Sequence, residues 1–463
     1  MKIKINNLGA IKEAQIDLQK RLIVFCGPNN SGKTYAAFII YALTKSGLKY
    51  FRSEDQSVFI QELIKNQKAV FEISLKEIWD YRIEELSNIK KSLDSIFGIS
   101  EEVQKMLFED FSINIEQSEK EFENKILEMN FSNKLKINNT FITISKTKSK
   151  NQIELSINEK SVSKDNIEFL ELFLRSKLYS LVAFYPFTSS HILPVERNSI
   201  YTFSRELSIQ KQEFLDRAQE LGSKNSNRDP FHWFMRRSTR YPLPIRDGLE
   251  IAEDLNNYSK TKTEFYELAE EIETELLQGK VIVTKDGEVQ YSSSKAKTKK
   301  IPIHLTASIV KTLSSLIFYL KYIATKNELI IIDEPELNLH PNNQVYLTRI
   351  FAKLINHGFR ILISTHSDYV IREINNLIMA SSNKKGIGKI AQELGYSEDM
   401  KLQHDKVGAY LFNFKNKSSR KVNVSPIKVT ETGFDAKTID LTIDRLNETS
   451  EALFYSIKYG ESK

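Results

Sequence analysis

Gly27-Pro28-Asn29-Asn30-Ser31-Gly32-Lys33-Thr34 is the stretch that decides the fold. It stands between a continuous apolar run, Leu22 to Cys26, and a strongly apolar segment, Thr34 to Leu43. The first reads as a strand buried on both faces and the second as a largely buried helix. Gly27 and Gly32 let the backbone curl and come close to a ligand. Successive N–H groups of the turn, with the N-terminus of the helix behind them, make a nest for an anion. Lys33 adds a point charge suited to β and γ phosphates, and the Thr34 hydroxyl suits Mg²⁺. Residues Gly27, Pro28, Asn29, Asn30, Ser31, Gly32, Lys33 and Thr34 are therefore expected to bind ATP with its Mg²⁺. A ligand-free glycine turn is the alternative, and the flanking strand and helix speak against it.

Two more buried strands end in polar groups. Leu329-Ile330-Ile331-Ile332 runs into Asp333-Glu334-Pro335. Carboxylates at the end of a buried strand need a partner, because desolvated charge is costly. A nucleotide-bound Mg²⁺ supplies one, with Asp333 as metal ligand and Glu334 as general base for the attacking water. An exposed turn is the plainer reading of the same pair. Arg360 to Thr365 repeats the design and delivers His366, a candidate donor to the γ-phosphate. In open α/β sheets such strand ends are where ligands bind. His340 lies in the same region.

Outward from these motifs, strands and helices alternate at both ends of the chain, the pattern of an α/β sheet. Lys2 to Ile5 and Ala14 to Leu18 alternate as strands should. Ile78, Trp79, Ile83, Leu86 and Ile89 fall at helical spacing. Phe141–Ser145 and Gln152–Ile157 read as a hairpin, and Asn166–Phe184 and Leu305–Ile323 as helices. The expected fold is an α/β P-loop sheet split by a mainly helical insertion. Residues 1–52 form one half of the core with the phosphate loop. Residues 53–187 form the insertion, helical with a hairpin. Residues 188–300 are mainly helical with a basic arm, 301–380 form the second half of the core, and 381–463 a C-terminal accessory region.

Composition narrows the class. With 41% hydrophobic and 27% charged residues among 463, most of the chain should fold into more than one unit. The single cysteine, Cys26, excludes a disulfide framework and a cysteine-rich zinc site. No apolar run approaches the roughly 20 residues that span a bilayer. The N-terminus carries no signal-peptide pattern. A cytoplasmic protein without a membrane partner is expected.

The quoted phosphate loop, together with Asp333-Glu334-Pro335-Glu336-Leu337-Asn338-Leu339-His340-Pro341 and Ser364-Thr365-His366-Ser367-Asp368, resembles ABC-type ATPases of the overcoming-lysogenization-defect group. These are relatives of the SMC and DNA-repair ATPases. The opening Lys4-Ile5-Asn6-Asn7-Leu8-Gly9-Ala10-Ile11 is similar too. His191-Ile192-Leu193-Pro194-Val195-Glu196-Arg197-Asn198 is a softer match near the nucleotide, with Arg197 placed against phosphate or a partner subunit. The resemblance covers Met1–Leu43 and Ile301–Leu377. It implies a homodimer or higher homo-oligomer joined through the ATP sites, in which a signature loop of one copy closes on the γ-phosphate of the other. Leu305-Thr306-Ala307-Ser308-Ile309-Val310-Lys311 occupies that place, so Ser308 is expected to act in trans. Here Ile309 stands where the family has glycine. Several family members carry a Toprim nuclease after the ATPase, whose metal site needs an Asp-x-Asp pair. None follows His366, so the chain is not read as the nuclease itself. The layout looks most like the stand-alone ATPases of two-gene antiphage systems such as PARIS, which implies a partner effector such as a nuclease.

Nucleic acid is a further candidate partner. Three basic clusters stand out: Lys295, Lys297, Lys299 and Lys300; Arg236, Arg237 and Arg240 beside Trp233 and Phe234; and Lys415, Lys417, Arg420 and Lys421. Each is also what a solvated face looks like. Three functional readings result: an ATP-driven switch controlling an effector, an SMC-like DNA clamp, and a scaffold that binds ATP without hydrolysing it. Prolines at 186, 194, 230, 242 and 244 interrupt the middle of the chain and argue against the long coiled coil of a clamp.

Overall fold

The computed structural model describes residues 1–45, 58–137, 140–157, 167–204, 241–295, 299–415, 420–435 and 437–460. In chain order its strands are β1 (Lys2–Leu8), β2 (Ile11–Asp17), β3 (Leu22–Cys26), β4 (Lys68–Glu72), β5 (Ser112–Glu116), β6 (Phe131–Ile137), β7 (Thr140–Lys146) and β8 (Gln152–Ile157). They continue with β9 (Ser190–Leu193), β10 (Gly279–Val283), β11 (Val289–Ser293), β12 (Lys300–Pro302), β13 (Leu329–Asp333), β14 (Arg360–Thr365), β15 (Val407–Phe414) and β16 (Val422–Ile427). Nine of them form one sheet in the order β5-β1-β2-β16-β15-β3-β14-β13-β9.

The centre of that sheet is parallel. β15, β3, β14, β13 and β9 all run the same way. Thr365 sits beside Cys26, and Ser364 beside both Phe25 and Asp333. Three strand ends that are far apart in sequence are therefore level in space. Side-chain alternation along these strands feeds two cores. Ile23, Phe25, Leu329, Ile331 and Leu362 face one, and Val24, Cys26, Ile330, Ile332, Ile361 and Ile363 face the other. An unbroken apolar strand is what burial on both faces demands.

The helix Lys33–Lys45 lies in the first core, together with apolar residues from 63 to 187. The segment between the two halves is mainly helical and carries a four-stranded sheet, β4-β8-β7-β6. It contains the hairpin read from the sequence, as β7 and β8. One of its strands, β5, leaves that unit and pairs antiparallel with β1 at the edge of the main sheet. The second core is roofed by the helices Ser308–Tyr322, Pro341–Asn356 and Asp368–Met379. β10, β11 and β12 make a small antiparallel sheet, and of the lysine-rich arm the described Lys295 and Lys299 lie between β11 and β12 while Lys300 opens β12.

Residues 381–463, set apart as an accessory region by the sequence, supply β15 and β16. Both lie in the interior of the main sheet, with β15 directly against β3. That boundary does not coincide with an edge of the sheet. Among the described residues, no helix is long and apolar enough to cross a membrane.

Candidate functional site

The phosphate loop is shaped by close packing as well as by its own sequence. Gly27 has φ 137°, and a Cβ there would collide with the Phe412 carbonyl of β15. Gly32 has φ 88°, and a Cβ there would lie 2.8 Å from Ile11 Cγ1. Only glycine meets both conditions. The Lys33 ammonium folds into the loop, donating to Gly27 O at 3.0 Å and Pro28 O at 2.9 Å. Burial lowers its pKa, and the facing Asp333 and Glu334 carboxylates oppose that shift. Ser31 Oγ closes the turn on Pro28 O at 2.7 Å.

Asp333 ends β13 almost wholly buried, at 1% exposure. Its Oδ2 accepts from Thr34 Oγ1 at 2.7 Å, and its Oδ1 from Ser364 Oγ. Burial raises its pKa, and these two hydroxyls act the other way. The donor set fits Mg²⁺: an oxygen-only pair, Thr34 and Asp333, beside a loop built for phosphate. Mg²⁺ keeps several waters and shares substrate phosphates, so it needs few protein ligands. Among the described residues no cluster of three acids, histidines or cysteines offers a closed metal cage.

Glu334 follows with φ 48°, a left-handed conformation costing a non-glycine residue about 1–3 kcal/mol. Two bonds hold it there. Its N–H donates to Ser364 O at 2.9 Å, and its carbonyl accepts from Arg197 Nη2 at 2.6 Å. The turn aims the Glu334 carboxylate at His366, whose Nε2 lies 3.6 Å from Oε1. That distance is an electrostatic contact, longer than a hydrogen bond. The facing imidazole is the largest cause of a Glu334 pKa below its ordinary value of 4.5. Glu334 thus stays a carboxylate at neutral pH.

Two supporting residues were not read as such from the sequence. Arg197, expected against phosphate or a partner, instead points into the protein at 2% exposure. Its guanidinium donates to Pro194 O at 2.9 Å, Asp333 O at 2.6 Å and Glu334 O at 2.6 Å. Desolvation lowers its pKa to about 10, so it remains charged. Glu336 Oε1 accepts from Thr365 Oγ1 at 2.9 Å and from the His366 N–H at 2.7 Å, tying the end of β14 to the turn after β13. Its position as a third acid, two residues past Glu334, was the available signal.

The remaining candidates lie apart from this cluster. Ser308 opens the helix Ser308–Tyr322 and is exposed, next to a Leu305 that is 70% exposed. Among the described residues no hydrogen bond joins it to the phosphate loop. His340 caps the helix Pro341–Asn356, accepting from Asn342 N–H at 3.4 Å. Arg236, Arg237, Arg240, Trp233, Phe234, Lys297 and Lys417 lie outside the described residues. Lys295, Lys299, Lys300, Lys415, Arg420 and Lys421 are exposed.

A family model described as "AAA ATPase domain" matches residues 1–371. No curated protein matches the chain. Among solved structures, it is similar to an SMC head domain from Thermotoga maritima, with 10% identity, 92% of this chain and 98% of that one covered, and a TM-score of 0.28. It is also similar to an SMC head bound to the C-terminal winged-helix domain of ScpA, with 12% identity, 93% and 98% covered, and a TM-score of 0.34. A third is an SMC head with an extended coiled coil, bound to the C-terminal domain of ScpA, from Pyrococcus furiosus. It has 12% identity, 97% and 98% covered, and a TM-score of 0.32.

Proposed function

From the premise that this chain belongs to the AAA ATPase domain family, we propose that it binds Mg²⁺-ATP at the ends of β3, β13 and β14 and hydrolyses it there. One observation carries the reading. Thr34, Asp333, Ser364, Glu334 and His366 form a continuous polar cluster where three level, parallel strands end.

In this reading the loop Gly27–Thr34 wraps the phosphates and Lys33 neutralises their charge. Thr34 and Asp333 hold the Mg²⁺, which when bound draws charge from the phosphate oxygens. Glu334 orients a water and takes its proton, a role that suits a carboxylate kept ionised. His366, whose Nε2 lies 3.6 Å from Glu334 Oε1, donates to the transferring phosphoryl group. Arg197 and Glu336 keep the two turns in register. Ser308 acts across a homodimer, where its exposed position at a helix start suits a partner's γ-phosphate. The ATP state of that dimer then governs an effector such as a nuclease, in the manner of the overcoming-lysogenization-defect ATPases and PARIS-type antiphage systems. Residues 1–52 and 301–380, with β9, β15 and β16 in the same sheet and Arg197 behind the Asp333–Glu334 turn, are the working core of this switch, and exposed faces of 53–187 and 188–300 meet partners.

Phosphate release from Mg²⁺-ATP by the purified chain tests the reading. Turnover that disappears in Asp333→Asn supports it. Turnover that survives the substitution at the wild-type rate overturns it.

A further inference from the structure

The helix Lys437–Tyr459 has 23 residues and so runs about 35 Å. Its root is anchored. Asn375 Nδ2 donates to Phe434 O at 2.9 Å, and Phe434 N–H donates back to Asn375 Oδ1 at 3.0 Å. From 444 to 460 every residue is exposed, on all sides of the helix. Leu446 is 60% exposed, Leu453 60%, Phe454 56% and Ile457 86%. An isolated helix of this length is marginal in water and takes its stability from burying an apolar face. Nothing among the described residues covers this one.

The spacing of the apolar positions says what does. Leu446, Ser450, Leu453 and Ile457 follow one another at intervals of four, three and four, and the same rhythm runs back in sequence through Ile443 and Ile439. That is a heptad seam with Ile443 and Ile457 at its first position and Leu446 and Leu453 at its fourth, the combination that favours two parallel strands. Ile439 stands at the fourth position of the heptad before. Ser450 is a single polar residue at a first position, a device that fixes register. From Leu446 to Ile457 the residues flanking the seam, Asn447, Thr449, Phe454 and Ser456, carry no charge, and Asp440 is the one charged flanking residue in the preceding heptad. Asp444, Arg445, Glu448, Glu451 and Lys458 fall on the outer positions. Over Leu446–Ile457 two identical copies can therefore close on each other without like charges meeting across the seam. We propose that Lys437–Tyr459 pairs with the same helix of a second copy of this chain in a parallel, in-register coiled coil. The contact is self-complementary about a two-fold axis, and it is independent of the ATP sites.

Sedimentation of the full chain carrying Lys33→Ala, without nucleotide, separates this contact from any dimer made through ATP. A dimer is expected, and Leu446→Glu with Leu453→Glu should convert it to a monomer. The same double substitution in the otherwise wild-type chain should leave binding of a fluorescent ATP analogue unchanged. In a chain with Leu453→Cys, mild oxidation should give a disulfide-linked dimer, because Cys26 is buried and makes no competing link. A monomeric Lys33→Ala chain overturns the proposal and leaves the face to a different protein. So does a dimer indifferent to the glutamates. A dimer that forms no cross-link through Leu453→Cys overturns the parallel register.

Discussion

Thr34 Oγ1 donates a 2.7 Å hydrogen bond to Asp333 Oδ2, joining the helix after the phosphate loop to the end of β13 across 299 positions of chain. The two groups that would share a Mg²⁺ are already in contact. Thr34→Val should raise the Mg²⁺ concentration needed for half-maximal ATP turnover. The shift should exceed the roughly 10–100-fold cost of losing an outer-shell partner. An unchanged Mg²⁺ titration would place the metal elsewhere.

Arg197 touches no candidate ligand group, yet it holds the carbonyls of Asp333 and Glu334. Lysine keeps the charge but lacks the planar fork that reaches two carbonyls at once. Hydrogen bonds from a charged group contribute about 1.5–3 kcal/mol each. Arg197→Lys should therefore cut kcat by roughly 10–100-fold while leaving KM for ATP nearly unchanged. A raised KM with normal kcat would mean that Arg197 contacts the nucleotide, as the sequence first suggested.

His366 is the main reason that the Glu334 pKa lies below 4.5. A carboxyl whose folded pKa is depressed contributes stability above its unfolded pKa and loses it as pH falls through the folded value. Removing the imidazole lets the pKa climb back. In His366→Ala the acid limb of the turnover profile should move to higher pH, on top of any loss of rate. The measurement is kcat against pH for both proteins, and an acid limb that stays in place would show that the ring does not tune Glu334.

The fold and the site differ in how much of them the sequence exposes. β3, β13 and β14 are legible because burial on both faces forces unbroken apolar runs, and each ends in a conspicuous polar motif. β15 and β16 are not. Val407–Phe414 mixes glycine, asparagine and aromatics, and Val422–Ile427 contains a proline. What places β15 is its packing beside β3, where the Phe412 carbonyl crowds Gly27, and such a contact leaves no local trace in either segment. Arg197 was visible as a residue, but its direction was not. A lone arginine after a short strand fits a ligand as well as a carbonyl, and only the position of β9 beside β13 decides. The sheet-edge strand β5 was hidden for a similar reason, since five residues between helices carry too little periodicity to be separated from them.

Away from the site, Lys321 and Glu273 form a buried ion pair of 2.6 Å with side chains 3% and 0% exposed. Desolvation raises the Glu273 pKa and lowers that of Lys321, and their mutual attraction opposes both shifts. Removing one partner strands the other charge, which costs about 3–5 kcal/mol. Lys321→Met should lower stability by that amount in urea unfolding, and adding Glu273→Leu should recover most of it. A single variant as stable as the wild type would show that the pair adds little.

The central claim is that Glu334 takes the proton from the attacking water, and Glu334→Gln tests it most directly. The amide keeps the shape and loses the base. Measured in single-turnover with Mg²⁺-ATP, the variant should bind nucleotide with near-normal affinity while the hydrolysis step slows by at least about 10²-fold, the low end of what general-base catalysis contributes. Hydrolysis at the wild-type rate in Glu334→Gln would contradict the account.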